Sequence, residues 1–248
     1  MDLRIQRSVV ANLRNRPNPV DSGPFVLGLD LSTDSPHINY ATPVPGIEIT
    51  AGDVRGLVQA FGTLKPRLEY VVSCAPDLEK LLLDAGFEVE SRNEYLICTP
   101  STLTVPPVPE GFELFEPSTD EEFAGMISAQ NESFGGEFSA TPADVDRYRR
   151  NRAKGGLQVA ARTLDGQYAG GGTAVAPDEG LSEVAGIAVR PQFRRRGLAG
   201  AVTAALTSRL FATGNDVAWL EASGDDSWRV YERVGFRPSG QRLYIAKD

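Results

Sequence analysis

The segment Arg194–Gly197 consists of three consecutive arginines and a glycine, a composition that can bind an anion. They precede an apolar helical pattern, in whose first turn Ala199 and Gly200 are small enough to let a ligand approach the backbone. A helix N-terminus presents free N–H groups and the positive end of the helix dipole, and both attract an oxyanion. The pattern therefore favours a phosphorylated small ligand, and a solvent-exposed basic helix start is the alternative explanation.

A strand and a helix are needed to position this turn. The run Val184–Val189 is apolar and partly β-branched, which is typical of a buried strand, and Pro191 ends it. Apolar residues then recur at helical spacing, which predicts a helix from about Gly197 to Ala212. Its buried face is expected to carry Val202, Leu206 and Leu210.

A second strand and helix follow and carry a tyrosine. The pattern predicts a strand over Val217–Ala222 and a short amphipathic helix over Ser227–Val234. Gly235 suits the C-terminal cap of this helix, and Phe236 is expected to turn inward. Tyr231 lies within the helix.

Two motifs resemble one known family. Arg194-x-x-Gly197-x-Ala199 resembles the Arg/Gln-x-x-Gly-x-Gly/Ala acyl-CoA signature of the GNAT superfamily of N-acetyltransferases. Val230–Phe236 resembles the Leu-Tyr-Glu-Lys-x-Gly-Phe segment that follows this signature in the family. Because both motifs occur in the right order and spacing, the chain is identified as a member of this superfamily.

The resemblance implies acetyl-CoA as co-substrate. In the family, loop amides hold the CoA pyrophosphate, and the preceding strand pairs with the pantetheine arm and polarises the thioester carbonyl. Transferred to this chain, the cofactor-binding residues are Ile187, Val189, Arg194, Arg195, Arg196, Gly197, Leu198, Ala199, Gly200 and Tyr231.

Acyl transfer to an amine requires a base and a group that stabilises the departing thiolate. An alkylammonium has a pKa of about 10.4, so its proton must be removed before attack. Glu183 stands where many family members carry this base, and Glu221 is the other candidate; a strand-end carboxylate that contacts only solvent or an arginine is the alternative. Tyr231 matches the family tyrosine that hydrogen-bonds the leaving sulfur, although a half-buried structural aromatic residue fits the same pattern.

The acceptor is expected to bind at the segment Asn131–Ser139, whose glycines allow motion and whose carboxylates attract a cationic amine. The candidate substrate-binding residues are Glu132, Phe134 and Glu137. A mobile polar loop without a ligand is an equally good explanation. The glycines at 170–172 are expected to admit a closely packed neighbour or to kink a strand.

The length of 248 residues favours two domains. Over residues 108–248 the patterns predict the order β-α-α-β-β-β-α-β-α-β, including a Ser118-x-x-Glu121 capping box and a helix starting at Thr141-Pro142, which matches the GNAT fold. Residues 1–102 resemble a degenerate partial copy, since Leu81–Phe87 aligns with Val230–Phe236 but no CoA loop precedes it. A proline-rich linker, Thr99–Pro109, joins the two.

The predicted fold class is therefore α/β (α+β): a GNAT fold with a mixed central sheet flanked by helices, in tandem with a smaller GNAT-like N-terminal lobe. Two function classes follow. One is an acetyl-CoA-dependent N-acetyltransferase that acetylates a primary amine of a small molecule (amino acid, polyamine or antibiotic-like) by direct attack in a ternary complex. The other is a non-catalytic CoA-binding or interaction protein.

Composition excludes several other classes. The net charge is −8, and residues 1–105 hold 9 basic and 13 acidic side chains, so neither half is basic enough to favour nucleic acid as a partner. A single histidine, His37, gives no support to a histidine metal site or a nucleophile triad, and we expect no metal. No apolar run approaches a membrane span and no signal peptide is evident, so we expect a cytoplasmic monomer or homodimer without membrane contact. Cys74 and Cys98 are expected to be buried thiols, although one disulfide is possible.

Overall fold

The structure is a computed structural model that describes residues 1–222 and 224–248. The chain divides into two compact units, one of Met1–Tyr95 with Pro238–Asp248 and the other of Leu96–Arg237. The expected boundaries, 1–102 and 108–248, differ from this division chiefly at the C-terminus, because the last strand joins the first unit.

The first unit combines three helices with a sheet. Its elements are α1 (Asp2–Arg14), β1 (Asn18–Ser22), β2 (Phe25–Leu29), β3 (Tyr40–Pro43), α2 (Ala51–Ala60), β4 (Arg67–Val71), α3 (Leu78–Asp84) and β5 (Glu88–Cys98). Strands β1, β2 and β3 pair antiparallel, whereas β3 and β4 pair parallel. Both β2 and β4 are buried along their whole length; β2 is apolar throughout, whereas β4 buries the paired side chains of Arg67 and Glu69 among its apolar residues.

Residues 108–248 have the element order that their sequence predicts. The elements are β6 (Phe112–Phe115), α4 (Asp120–Ser133), α5 (Pro142–Ala153), β7 (Leu157–Thr163), β8 (Tyr168–Ala174), β9 (Leu181–Val189), α6 (Leu198–Ala212), β10 (Val217–Glu221), α7 (Asp225–Val234) and β11 (Arg237–Ala246). The sheet order is β10-β9-β8-β7-β6, with β9 and β10 parallel and the other pairs antiparallel. The predicted mixed sheet with flanking helices is confirmed.

Helices cover both faces of this second sheet. Helix α6 lies on one face and buries Val202, Leu206 and Leu210, as predicted. Helix α4 lies on the other, where a Cβ at Gly171 would stand 2.6 Å from Cγ of Met126. The glycines of β8 therefore admit closely packed neighbours, which was one of the two roles expected for them.

The start of α4 requires one correction. Its capping box is formed by Thr119 and Glu122, not by the predicted pair Ser118 and Glu121. The side chain of Thr119 accepts from the amide of Glu122, and the Glu122 carboxylate accepts from the amides of both Ser118 and Thr119. The capped start is thus shifted by one residue along the chain.

Strand β11 explains the division into units. Its second half pairs antiparallel with β4, from Arg242 opposite Val71 to Ala246 opposite Arg67. Leu243 and Ile245 are fully buried in the core of the first unit. The last strand in the chain therefore completes the sheet of the first unit.

The two units share a run of elements. The order β1-β2-β3-α2-β4-α3-β5 repeats as β7-β8-β9-α6-β10-α7-β11, and the third and fourth strands of each run pair parallel. The starts of the equivalent helices differ. Thr50 caps α2 through a reciprocal pair of hydrogen bonds with Asp53, whereas α6 has no side-chain cap.

The structure also bears on the two cysteines and on membrane-spanning helices. Both cysteines are free thiols; Cys98 is buried as expected, but Cys74 is only half-buried. Among the described helices, none combines the length and apolar character that crossing a membrane requires.

Candidate active site

Strand β9 separates from β10 where the candidate site begins. The parallel pairing covers only Leu181, Ser182 and Glu183, which lie opposite 217–219. On its other side β9 pairs with β8, with an irregular register around Gly186, whose φ is +62°. Among the described residues, Val184–Val189 therefore has one backbone edge without a strand partner.

A buried side chain, Gln130, and a half-buried one, Tyr148, fix this irregular part of β9. Gln130 donates from Nε2 to the carbonyl of Gly186 at 2.6 Å, and its Oε1 accepts from the Tyr148 hydroxyl at 3.0 Å. Burial raises the pKa of Tyr148, so its hydroxyl keeps the donated proton. No sequence motif marks Gln130 or Tyr148, because their role depends on how α4 and α5 pack.

The loop before α6 has a backbone suited to an anion. Arg195 and Gly197 adopt left-handed conformations, with φ of +62° and +84°. Helix α6 has no acidic residue in its first turn. Within the described part of the chain, the amides of residues 195–200 donate to no acceptor. These free N–H groups and the helix dipole form a positive site.

A cavity of about 480 Å³ opens at this loop. It is lined by seven of the residues predicted to bind the cofactor: Val189, Arg194, Arg195, Gly197, Leu198, Ala199 and Gly200. The remaining lining residues, which the sequence did not single out for this site, are Pro106, Phe193, Val230, Arg233 and Val234. Ile187, Arg196 and Tyr231 do not line it.

The three arginines of the loop have different surroundings. Arg194 donates from Nε to the carbonyl of Val189 and from Nη2 to that of Ser133, both at 2.9 Å, so it ties the loop to β9 and α4. The guanidinium of Arg196 lies over the ring of Phe112, 5.8 Å from its centroid. Arg195 is exposed and pairs with no other described residue.

Tyr231 lies on α7 beside two cavity-lining residues, Val230 and Val234. Its ring is buried and packs edge-on against Phe236, with 6.3 Å between centroids. Burial raises the pKa of Tyr231 to about 12. Its hydroxyl has no hydrogen-bonding partner among the described residues, and it is therefore a protonated donor whose proton is uncommitted.

Glu183 lies on the sheet face opposite α6. Its register partner is Trp219 on β10, and the neighbours of Trp219 on that strand, Ala218 and Leu220, point into the core beneath α6. Because side chains alternate along a strand, Glu183, Trp219 and Glu221 share the other face. Both carboxylates are half-buried there.

The three predicted acceptor-binding residues differ in environment. Glu132 forms an ion pair with Arg190, whose guanidinium also lies 4.4 Å from the ring centroid of Phe138. Phe134 follows α4 and is 69% exposed, and Glu137 is exposed in the following segment. The charge of Glu132 is thus neutralised within the protein, which the sequence pattern did not reveal.

Comparisons with known proteins bear on the fold of the chain. The family model described as FR47-like protein matches residues 173–245, from β8 through most of β11. A GCN5-related N-acetyltransferase from Kribbella flavida superposes with a TM-score of 0.81 at 25% identity, covering 100% of this chain and 95% of that one. No curated protein sequence matches the chain.

Two further solved structures share the fold. A putative GNAT-family acetyltransferase from Novosphingobium aromaticivorans has a TM-score of 0.59 at 23% identity, with 96% of each chain covered. A tandem GNAT protein from the clavulanic acid biosynthesis pathway has a TM-score of 0.63 at 12% identity, covering 90% of this chain and 77% of that one. Together with the element order, the FR47-like match and the Kribbella flavida structure support membership of the GNAT superfamily.

Proposed function

We propose that this protein is an acetyl-CoA-dependent N-acetyltransferase that acetylates a primary amine of a small molecule such as an amino acid, a polyamine or an antibiotic-like compound. The observation that carries this proposal is the uncapped start of α6, where the amides of 195–200 have no acceptor among the described residues and lie beside a cavity of about 480 Å³. In the first unit, the equivalent helix start is capped by Thr50 and Asp53. Only the second unit is therefore proposed to bind CoA.

The CoA moiety is proposed to lie along the loop and β9. The loop amides and the exposed Arg195 bind the pyrophosphate, because free N–H groups and a guanidinium both stabilise phosphate oxygens. The unpaired edge of β9 hydrogen-bonds the pantetheine arm, and the amides of Ile187 and Val189 polarise the thioester carbonyl. Arg194 contributes by holding the carbonyl of Val189, which fixes the loop against the strand.

The reaction is proposed to be direct attack in a ternary complex. Glu183 takes the proton from the ammonium group, directly or through water. The neutral amine nitrogen then forms a C–N bond with the thioester carbon, the C–S bond breaks, and the second proton of the nitrogen passes to the departing sulfur, directly or through water, to give the free thiol. The Tyr231 hydroxyl donates a hydrogen bond to the departing thiolate, which its uncommitted proton permits.

The acceptor is proposed to approach from the segment that follows α4. Phe134 and Glu137 are exposed there and supply an apolar and an anionic contact for a cationic amine. Glu132 is proposed to act through Arg190, by holding its guanidinium against Phe138, instead of binding the amine itself.

The test combines binding with turnover in one sample. Acetyl-CoA binding is measured by calorimetry, and free-thiol release is then followed with a panel of amino acids, polyamines and aminoglycosides. Binding with thiol release on one amine class supports the proposal. Binding without release on any amine points to a non-catalytic CoA-binding protein, and absence of binding refutes the cofactor site.

A further inference from the structure

Strand β9 contains one inserted residue, which the hydrogen bonds on either side of it reveal. The carbonyl of Glu183 accepts from the amide of Val175, and the amide of Arg190 donates to the carbonyl of Ala169, both at 2.9 Å. Backbone groups on the same edge of a regular strand are an even number of residues apart, whereas Glu183 and Arg190 are an odd number apart. The irregular register around Gly186 is therefore a β-bulge.

The bulge determines where the amides beyond it point. Because Arg190 faces β8, the alternation of the strand directs the amides of Ile187 and Val189 away from β8, toward the other edge. Among the described residues, that edge of the strand has no partner here. A regular strand continued from Glu183 would turn both amides toward β8. The inserted residue is thus what makes them available to a ligand.

Gln130 supplies the hydrogen bond that the bulge removes from the ladder. The carbonyl of Gly186 accepts from Nε2 of Gln130 on α4 at 2.6 Å. This carbonyl and the amide of Ile187 belong to one planar trans peptide group, so fixing the direction of the carbonyl fixes that of the amide. A Cβ at Gly186 would stand 3.1 Å from Nε2, so glycine allows the approach. Gln130 is only 2% exposed, and its removal would leave a buried carbonyl without a donor.

Tyr148 determines which end of the Gln130 amide faces β9. Its hydroxyl donates to Oε1 at 3.0 Å, and its raised pKa keeps the proton in place. Rotating the amide by half a turn would place Oε1 against the Gly186 carbonyl oxygen, and two acceptors would then face each other. The Tyr148 hydroxyl therefore favours the orientation in which Nε2 donates to β9.

We propose that Gln130 and Tyr148 are positioning residues for acyl transfer, which hold the peptide between Gly186 and Ile187 so that the amides of Ile187 and Val189 face the thioester carbonyl. This inference rests on the proposed function, because it takes these amides as the groups that polarise the carbonyl. Neither side chain needs to contact acetyl-CoA. Their loss should therefore weaken the polarisation of the thioester more than its binding.

The test observes the thioester carbonyl directly and needs no acceptor. Infrared difference spectra of acetyl-CoA, isotopically labelled at its carbonyl carbon, give the carbonyl stretching frequency of the free and the bound ligand. Hydrogen bonds to the oxygen lower this frequency, so we expect a downward shift on binding to the wild type. Tyr148→Phe and Gln130→Met should each lose most of the shift, while calorimetry gives dissociation constants close to the wild-type value. With an acceptor that is turned over, kcat should fall about tenfold at unchanged KM for acetyl-CoA, less than on removal of a donor that itself contacts the oxyanion.

The matched control is Tyr95→Phe, which removes a hydroxyl that donates to Asp2 in the first unit. It should lower the midpoint of thermal unfolding without altering the carbonyl frequency. A wild-type frequency in both Tyr148→Phe and Gln130→Met would overturn the positioning role and leave the CoA site and the reaction intact. An equal loss of shift in Tyr95→Phe would assign the effect to general loosening and overturn it as well. Acetyl-CoA bound to the wild type without a shift would refute polarisation by the two amides, whereas absence of acetyl-CoA binding would refute the proposed function itself.

Discussion

At the residue scale, burial determines what the Tyr231 hydroxyl does. Its pKa of about 12 exceeds the ordinary value near 10, so the phenol stays protonated across the working pH range. Desolvation disfavours the phenolate, which makes complete proton loss to the thiolate unfavourable and a donated hydrogen bond the expected contribution. Because the pKa of Tyr231 is higher in the folded protein than in the unfolded chain, its protonated form favours the folded state. This contribution to the free energy of unfolding is complete below pH 10 and is lost as the pH rises toward 12.

Replacing Tyr231 by Phe tests this role. The ring and its edge-on contact with Phe236 remain, so the fold should be unaffected. We expect kcat to fall about a hundredfold, as when one hydrogen-bond donor to developing charge is removed, with little change in the affinity for acetyl-CoA. Steady-state thiol release between pH 6 and 9.5 measures the effect. An unchanged kcat throughout this range would eliminate the donor role.

The second residue-scale prediction concerns Glu183. Glu183→Gln keeps the size of the side chain and removes the base, so we expect kcat at pH 7 to fall by about 10²-fold or more. The deficit should shrink as pH rises toward the amine pKa of about 10.4, because the substrate then arrives deprotonated. The pH–rate profiles of wild type and variant provide the measurement. Glu221→Gln is the comparison variant, because Glu221 lies on the same sheet face. Full activity of Glu183→Gln at pH 7 would show that Glu183 is not the general base.

At the scale of elements, the start of α6 needs a residue that adopts a positive φ and that leaves space beside the cavity. Gly197 sits at the helix N-cap with φ of +84°, and it borders the cavity. A β-branched residue there would be strained by about 1–2 kcal/mol and would narrow the space for a phosphate. We expect Gly197→Val to weaken acetyl-CoA binding at least tenfold, measured by calorimetry.

The control for this prediction lies at the other end of the same helix. Gly214 has a similar φ of +92°, and a Cβ there would meet nothing within 4 Å. Gly214→Val should therefore produce comparable backbone strain, visible as a lower midpoint of thermal unfolding, without loss of acetyl-CoA affinity. Equal affinity losses in the two variants would attribute the effect to helix stability and refute a phosphate site at Gly197.

Elements whose shape depends on neighbouring residues in the sequence could be predicted. Features that depend on contacts with residues distant in the sequence could not. The loop before α6 could be predicted because glycine and arginine at a helix start determine backbone shape and charge within a few residues. The irregular register at Gly186 could not, since it depends on β8 and on a hydrogen bond from Gln130. The sequence analysis also missed α1, β1 and β3, the last only four residues long within a proline-rich stretch.

At the scale of the whole molecule, the pairing of β11 with β4 brings the C-terminal segment into the first unit. Arg242 is buried and its Nη2 donates to Glu69 at 3.2 Å, while Glu69 also pairs with Arg67. A buried ion pair of this kind is strongly destabilising when one partner is lost, so it favours a single register of β11 on β4. Nothing in the sequence of β11 identifies β4 as its neighbour, which is why the boundary at 108–248 assigned this segment differently.

Truncating one buried side chain of β11 tests how much the first unit depends on it. Leu243 is fully buried in that core, and Leu243→Ala should reduce the free energy of unfolding by about 2–5 kcal/mol. Urea unfolding measures the loss, and hydrogen exchange should show reduced amide protection in β4. Gln241→Ala, exposed on the same strand, is the control and should change stability by less than about 0.5 kcal/mol. If both variants unfold at the wild-type urea concentration, the C-terminal strand contributes little to the first unit, and the division at Pro238 loses its energetic basis.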